Sequence, residues 1–337
     1  MKPVSEIFTQ LGEPRNIVIT MHQKPDPDAM GSSLGLYLVL EQLGHSVTVV
    51  SPTNWATFLD WMPGSNKVLD FENYKQRSRA ESALAGAQWL FCLDFNNISR
   101  TRNLAPIINK LTCKKILIDH HQQPETESFD YGISNTSKSS TSEMVYDFIV
   151  QSGHADKINT GVAECLYAGV IGDTGSFRYP SASESLHLMV AALKSKGLMH
   201  TKVHDNIYDN YLENRLRFIG HVLQNRMEIL YEFNAALIAV TKADLVKYEI
   251  KTGDTEGLVN FPLSIQGIKL AALVIDRDEE RKWSFRSKGD FDVNTFARNY
   301  FNGGGHFNAA GGRSYDALDK TVQKFKTAIN ENASQLQ

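Results

Sequence analysis

Between His22 and Ser32 the chain reads His-Gln-Lys-Pro-Asp-Pro-Asp-Ala-Met-Gly-Ser. One histidine and two carboxylates, Asp26 and Asp28, are packed into a turn that Pro25 and Pro27 stiffen, so the three side chains are aimed rather than averaged. Three further points carry the same chemistry. Asp94 closes the apolar run Trp89-Leu90-Phe91-Cys92-Leu93, Asp119-His120-His121 closes Ile116-Leu117-Ile118, and Asp173 follows the apolar run 166–171 in Gly-Asp-Thr-Gly-Ser-Phe-Arg. Taken alone, each has an ordinary explanation: a capping aspartate, a loop-opening acid, a surface loop with solvated imidazoles. Taken together, every predicted strand end carries Asp or His, and none carries a Ser or Cys nucleophile. Aspartates with a few histidines suit hard or borderline divalent cations, manganese and magnesium foremost, whereas a zinc site more often recruits cysteine. The five aspartates, Asp26, Asp28, Asp94, Asp119 and Asp173, exceed what one ion needs. Two ions sharing a bridging carboxylate fit the set, about 3.5–4 Å apart in sites of that kind. Five converging carboxylates without cations would raise one another's pKa values. Bound divalent ions remove that repulsion, acidify a bridging water and neutralise a phosphate as attack proceeds. The expected reaction class is phosphoester hydrolysis.

A second group of residues lies near the C-terminus. Gly303-Gly304-Gly305-His306 reads as a glycine-rich loop whose backbone amides can approach an anion, with His306 adding a donor. Arg286, on a neighbouring predicted strand, can hold a phosphate in bidentate fashion. No GxxxxGK[ST] segment occurs, so a nucleoside-triphosphatase loop has no support.

The elements that must position these groups alternate in the first half. Ile17-Val18-Ile19-Thr20-Met21, Val47–Val50, Trp89–Leu93 and Ile116–Ile118 are short apolar or β-branched runs that predict buried strands. Helical spacing covers Gly31 to Leu43, and Ser140, Thr141 or Ser142 can cap a helix through Met144, Val145 and Phe148. The fold class expected is α/β: a parallel sheet with helices on both faces, its ligand site outside the carboxyl ends of the strands. From about Ser183 the pattern turns helical. Strand signals return at Ala236–Val240, Leu270–Ile275 and Lys282–Ser287, with helices over Val293–Phe301 and Ala317–Ile329. The expected domains are a metal-binding domain over 1–190, a helical linker over 191–229 and a smaller α/β substrate domain over 230–337.

The ordered set His22…Asp26-Pro27-Asp28-Ala29…Gly31-Ser32, Asp94, Asp119-His120-His121 and Asp173 resembles the successive motifs of the DHH phosphoesterase superfamily. Phe285-Arg286-Ser287 and Gly303-Gly304-Gly305-His306…Ala309-Ala310-Gly311-Gly312 resemble the DHH-associated substrate-binding domain of one branch. Members of that branch include nano-RNases that also remove the 3′-phosphate of 3′-phosphoadenosine 5′-phosphate. The resemblance implies that His22 and Asp26 hold one cation, that Asp28, His120 and Asp173 hold the other, and that Asp94 bridges both. It implies that Asp119 orients a ligand histidine and that His121 faces the substrate phosphate, with Asp94, Asp119 and His121 as the catalytic group. Arg100, His121, Arg286, Ser287, Gly303, Gly304, Gly305 and His306 would contact substrate. The implied cofactors are two divalent cations, Mn2+ foremost, with Mg2+ or Co2+ as alternatives. Short oligoribonucleotides and small nucleotides are the implied substrates. A cyclic or linear dinucleotide phosphodiesterase, or an inorganic pyrophosphatase or exopolyphosphatase-like enzyme, stands as the alternative.

Composition narrows the partners. The 337 residues favour two domains. A net charge of -3 lacks the basic excess of a protein that coats long nucleic acid, so any anionic ligand is expected to be small and gripped locally. Cys92, Cys113 and Cys165 form no CxxC pair; Cys92 and Cys165 sit in apolar runs and read as core fillers. No signal-peptide core and no apolar stretch of about 18 residues is present, so a cytoplasmic protein without a membrane partner is expected. The oligomeric state is left open, a homodimer included.

Overall fold

The computed structural model describes residues 1–277 and 280–337. The chain divides into two compact units, Met1–Asn210 and Tyr211–Gln337. The first holds strands β1 (Lys2–Pro3), β2 (Asn16–Thr20), β3 (Ser46–Ser51), β4 (Leu69–Asp70), β5 (Trp89–Leu93), β6 (Lys114–Asp119) and β7 (Tyr131–Ser134). Its helices are α1 (Pro27–Gln42), α2 (Tyr74–Ala85), α3 (Ala105–Ile108), α4 (Thr141–Gln151), α5 (Thr160–Asp173), α6 (Glu184–Ser195) and α7 (His200–Tyr208).

The seven strands form one sheet in the order β1-β7-β6-β5-β2-β3-β4, and each neighbouring pair runs parallel. Successive side chains of a strand point to opposite faces, which explains the unbroken apolar runs. Ile17, Ile19, Phe91, Ile116 and Ile118 join the core shared with α1, α4 and α5. Val18, Leu90, Cys92 and Leu117 join the opposite core with Ala80 and Leu84 of α2. Cys92 and Cys165 are buried free thiols, as expected. The strand order grows one way from β2 through β3 and β4, then restarts on the other side of β2 with β5, β6 and β7. The carboxyl ends of β2 and β5 therefore flank a topological switch point, where an open parallel sheet leaves a crevice.

Two expectations about elements change here. The apolar run before Asp173 is not a strand but the end of α5. Every residue from Val162 to Ile171 in that helix is buried, so it shows no amphipathic stripe, and a short apolar run cannot be told from a strand by periodicity. The turn after β2 is shorter than expected, because the helix starts at Pro27 rather than Gly31: proline is suited to the first helical position, and Asp26 caps it.

Gly31 instead lies inside α1 against α5, where a Cβ would stand 2.3 Å from the carbonyl oxygen of Cys165. This close crossing brings Asp28 and Asp173 to one place.

The second unit is a six-stranded mixed sheet, β12-β13-β11-β10-β9-β8, built from β8 (Met227–Leu230), β9 (Ala235–Val240), β10 (Leu270–Asp276), β11 (Arg281–Ser287), β12 (Gly304–His306) and β13 (Ala309–Ser314). Its helices are α8 (Glu213–Asn225), α9 (Lys242–Lys247), α10 (Val293–Phe301), α11 (Leu318–Glu331) and α12 (Ala333–Leu336). Trp283, Phe285, Phe296, Phe301 and Phe325 fill one face of this sheet. Phe218 and Val222 of α8 pack on the other with Ile238, Val240, Ala271 and Leu273. The stretch 191–229 is shared between the units: α7 belongs to the first, α8 to the second, and the helical run is broken between Asp209 and Leu212.

Among the described residues no helix is long and apolar enough to cross a membrane.

Candidate metal centre

The first unit gathers the motif residues at the switch point. His22 follows β2, Asp94 follows β5, Asp119 ends β6, Asp26 and Asp28 open α1, and Asp173 closes α5. His22 Nε2 lies 3.3 Å from an Asp94 carboxylate oxygen and 3.6 Å from Asp26 Oδ2. His120 Nε2 lies 3.1 Å from Asp173 Oδ2, 3.5 Å from Asp94 Oδ1 and 3.9 Å from Asp28 Oδ2. Two ligand sets result, His22–Asp26–Asp94 and Asp28–His120–Asp173; within each, one donor atom per residue lies within 4.8 Å of the others. Asp94 faces both histidines through its two oxygens, the position a bridging carboxylate requires.

Asp26, His22 and His120 are each held through one atom, which leaves the other for the site. Asp26 spends Oδ1 on the amides of Asp28 and Ala29, both at 3.0 Å, and presents Oδ2 to His22. The same aspartate thus caps the helix and faces the cluster. His22 Nδ1 is 2.8 Å from the Gln23 carbonyl and His120 Nδ1 is 3.3 Å from the Lys138 carbonyl. A carbonyl accepts only from a protonated nitrogen, so in both rings Nε2 is the atom aimed at the carboxylates, as in metal-ligating histidines. Asp94 itself adopts a left-handed backbone, φ 62°, a conformation that Asp tolerates better than most residues and that recurs at functional sites.

Burial and close charges shift most of these groups strongly. Burial pushes Asp28 well above the usual carboxylate range, reinforced by the charges of Asp94 and Asp173. Burial also raises Asp173 to about 6, against the opposing hydrogen bond from His120. Burial alone would discharge His22, but its bonds to Asp26 and Asp94 prevail and raise it to about 10. His120 is raised well above its ordinary value in the same way, by Asp173 and Asp94. Protonated imidazoles therefore supply the positive charge that the carboxylates demand.

Asp119 and His121 form a separate pair. His121 Nδ1 donates to Asp119 Oδ1 at 2.7 Å and its amide donates to Asp119 Oδ2 at 3.2 Å. Burial and the nearby Arg100 charge hold His121 well below its ordinary pKa, so the ring is neutral with its proton on Nδ1. Its Nε2 is an acceptor, able to take a proton before it can donate one to a phosphate. Burial and the Asp94 charge raise Asp119 to about 6. Arg100 also opposes the charge on His22, and its carbonyl accepts from the Gln23 amide at 3.0 Å, which ties it to the first motif.

The C-terminal residues lie on two strands of the second sheet, the edge strand β12 and the inner strand β11, in a different form from the expected loop. Gly304, Gly305 and His306 are the edge strand β12, paired with Gly311, Ala310 and Ala309. The Gly305 amide is spent on Asn294 Oδ1 at 2.9 Å and that of Gly303 on the Ala297 carbonyl at 3.2 Å. Packing accounts for two of the glycines: a Cβ on Gly303 would stand 1.9 Å from the Gly311 carbonyl oxygen and one on Gly305 2.5 Å from that of Ala309. Ser287 is likewise committed, donating to the Phe291 carbonyl at 2.7 Å and accepting from Asn308 at 2.9 Å. Arg286 remains half-buried on β11, paired with Ala309 of β13.

The residue that motif reading overlooked is Thr141. Its hydroxyl donates to Asp94 Oδ1 at 3.0 Å and its amide to Asp28 Oδ2 at 2.7 Å. The available signal was the Ser-Ser-Thr-Ser run, readable only as a helix cap. Ser140 is that cap, accepting from the Glu143 amide.

Comparison with known proteins shows the family. Residues 16–170 match the DHH family, N-terminal domain, and residues 235–335 match the DHHA1 domain. A Bacillus subtilis protein named bifunctional oligoribonuclease and PAP phosphatase NrnA is 30% identical over 319 residues, 94% of this chain and 95% of that protein. A Thermus thermophilus protein of the same name is 27% identical over 98% of this chain and 94% of its own. A solved structure from Bacteroides fragilis, described as an exopolyphosphatase-related protein, superposes with a TM-score of 0.91 at 38% identity, covering 98% of this chain and 96% of that one.

Proposed function

The chain belongs to the DHH family of phosphoesterases, and on that premise we propose that it is a two-cation hydrolase that cleaves short oligoribonucleotides to 5′-mononucleotides and removes the 3′-phosphate of 3′-phosphoadenosine 5′-phosphate. The observation that carries the proposal is the pair of ligand sets meeting at Asp94. The donor chemistry, carboxylates plus imidazole Nε2 atoms, fits Mn2+ best, with Mg2+ or Co2+ as alternatives.

His22, Asp26 and Asp94 would hold one cation; Asp28, His120, Asp173 and Asp94 the other. Such a pair supplies Lewis-acid polarisation of the phosphoryl oxygens and a nucleophile at neutral pH. The protein's own part is positioning. Asp94 sets the separation of the two sets, Asp119 fixes the tautomer of His121, and His121 Nε2 receives a proton at the reacting phosphate. An imidazole coordinates a cation only in its neutral form, so low pH opposes loading through His22 and His120. Arg286 of the second unit grips the nucleotide, since a half-buried guanidinium presents a pre-organised fork to a phosphate. The net charge of -3 disfavours long polyanions.

The test is a substrate panel with Mn2+: a dinucleotide, a twenty-nucleotide RNA, 3′-phosphoadenosine 5′-phosphate, cyclic di-AMP, pyrophosphate and polyphosphate. The dinucleotide and 3′-phosphoadenosine 5′-phosphate are expected to give the highest kcat/KM. Preference for pyrophosphate or polyphosphate would overturn the reading, and preference for cyclic di-AMP would move the chain to a cyclic-dinucleotide branch.

Two substitutions divide the labour between the units. Asp119→Asn keeps the shape but weakens the orienting bond to His121, and is expected to lower kcat by about 10–100-fold, the usual cost of removing such support; unchanged kcat would remove Asp119 from the mechanism. Arg286→Ala is expected to raise substrate KM with Mn2+ content unaltered, measured by steady-state kinetics and elemental analysis. Loss of metal in that variant would contradict the assignment.

A further inference from the structure

Five consecutive polar residues, Ser139 to Glu143, are all buried, none more than 3% exposed. Burial of so much polarity persists only where partners are supplied, and the partners here fall into two groups. On one side the segment serves the metal centre. The amides of Thr141 and Ser142 donate to the two oxygens of Asp28 at 2.7 and 2.9 Å, and the Thr141 hydroxyl donates to Asp94. The Lys138 carbonyl just upstream faces His120 Nδ1. One short stretch therefore touches three of the six ligands, drawn from both sets.

On the other side the stretch converges on a single carboxylate. Glu143 Oε2 accepts from the Ser139 amide at 2.9 Å and the Ser139 hydroxyl at 2.8 Å. Its Oε1 accepts from Lys138 Nζ at 2.8 Å and Ser185 Oγ at 3.2 Å. Glu143 occupies the third position of α4, from which a capping-box glutamate reaches back to the cap residue's own amide. Here it reaches one residue further, to Ser139, and so pins the loop rather than the helix end. Lys138 is held from a second direction by Asp147 at 2.7 Å.

The geometry points to Glu143 as a positioning residue that sets the cation affinity of the centre, by fixing the 138–142 segment whose carbonyl, amides and hydroxyl orient His120, Asp28 and Asp94. The inference rests on the two-cation reading above. Glu143 works through that segment and is one step removed from the reacting atoms.

Glu143→Gln keeps the volume but replaces one acceptor oxygen with an amide nitrogen, which must then face a donor of Ser139 or Lys138. Mn2+ binding is measured by titration calorimetry on protein shown folded by circular dichroism, with kinetics over a range of Mn2+ concentrations. The Mn2+ dissociation constant is expected to rise about 10–100-fold, the range for lost support of metal ligands. Saturating Mn2+ restores kcat, with substrate KM unchanged. A merely structural role would lower the Tm without shifting Mn2+ affinity in the folded protein, and an unchanged dissociation constant overturns the inference. Asp147→Asn is the comparator, because it loosens Lys138 without touching the Ser139 contacts; equal weakening there would assign the effect to Lys138 and overturn the role of Glu143. If Glu143→Gln does not fold, Ser139→Ala, which removes one donor to the same carboxylate, is expected to weaken Mn2+ by a smaller factor, and no change in it is equally decisive. Wild-type protein that takes up no Mn2+ overturns both this inference and the two-cation reading; wild-type uptake with unaltered variants overturns this inference alone.

Discussion

Replacing Asp94 with asparagine or alanine is expected to lower kcat by on the order of 10³-fold or more, above about 4 kcal/mol of barrier, while leaving a folded protein. Among the described residues Asp94 is the one carboxylate facing both His22 and His120, so its loss removes a ligand from each set at once. Its neighbours already have places in the two sets: Asp26 faces His22, and Asp28 and Asp173 face His120. Two electrostatic effects of the change oppose each other: it relieves the repulsion that raises Asp28 and Asp119, and it removes the carboxylate that His22 and His120 face, so circular dichroism accompanies the kinetics. Asparagine is the cleaner variant, because it shares the tolerance of Asp for the left-handed backbone at this position. Turnover of a dinucleotide with Mn2+ and metal content by elemental analysis are the readouts. Near-normal turnover, or two tightly held cations in the variant, would reject the bridging role.

Asp28→Ala is expected to differ in kind, costing stability as well as activity. The Asp28 carboxylate receives the amides of Thr141 and Ser142 at the buried start of α4. Without it, two buried N–H groups lose their acceptor, each at about 1–3 kcal/mol. Against a total stability of about 5–15 kcal/mol, this is a large share. A fall in Tm of roughly 4–24 °C follows from a loss of about 2–6 kcal/mol at about 2–4 °C per kcal/mol in a domain of this size. Asp28→Asn retains one acceptor oxygen and is expected to lie between wild type and alanine in Tm, while losing the second cation as fully as alanine does. Thermal unfolding in chelator, where the metal contributes nothing, isolates the first effect. A Tm equal to wild type in Asp28→Ala would show that the amides find other partners.

The contrast between these aspartates separates what is local from what is not. Which residues could bind a cation was legible in the chain, because a carboxylate or imidazole at the end of a buried parallel strand has one place to point, and β2, β5 and β6 are short apolar runs whose two-sided burial follows from their composition. His22, Asp94, Asp119, His120 and His121 were singled out on that ground, and in the structure they lie together. The order of the motifs along the chain also sufficed to suggest the family.

Tertiary structure alone decided three things. Asp173 ends a helix rather than a strand, because a helix buried on all sides loses the stripe by which helices are recognised. The glycines at 303–305 form an edge strand, because strand pairing is chosen by a distant partner, β13, and close packing against Gly311 accounts for Gly303 without reference to any ligand. Ser140, Thr141 or Ser142 read as a cap, and the structure places the buried stretch around them against Asp28, Asp94 and His120. Its worth lies in partners up to 114 positions away in the chain, and hydrogen bonds between residues so far apart leave no period in the sequence from which to read them.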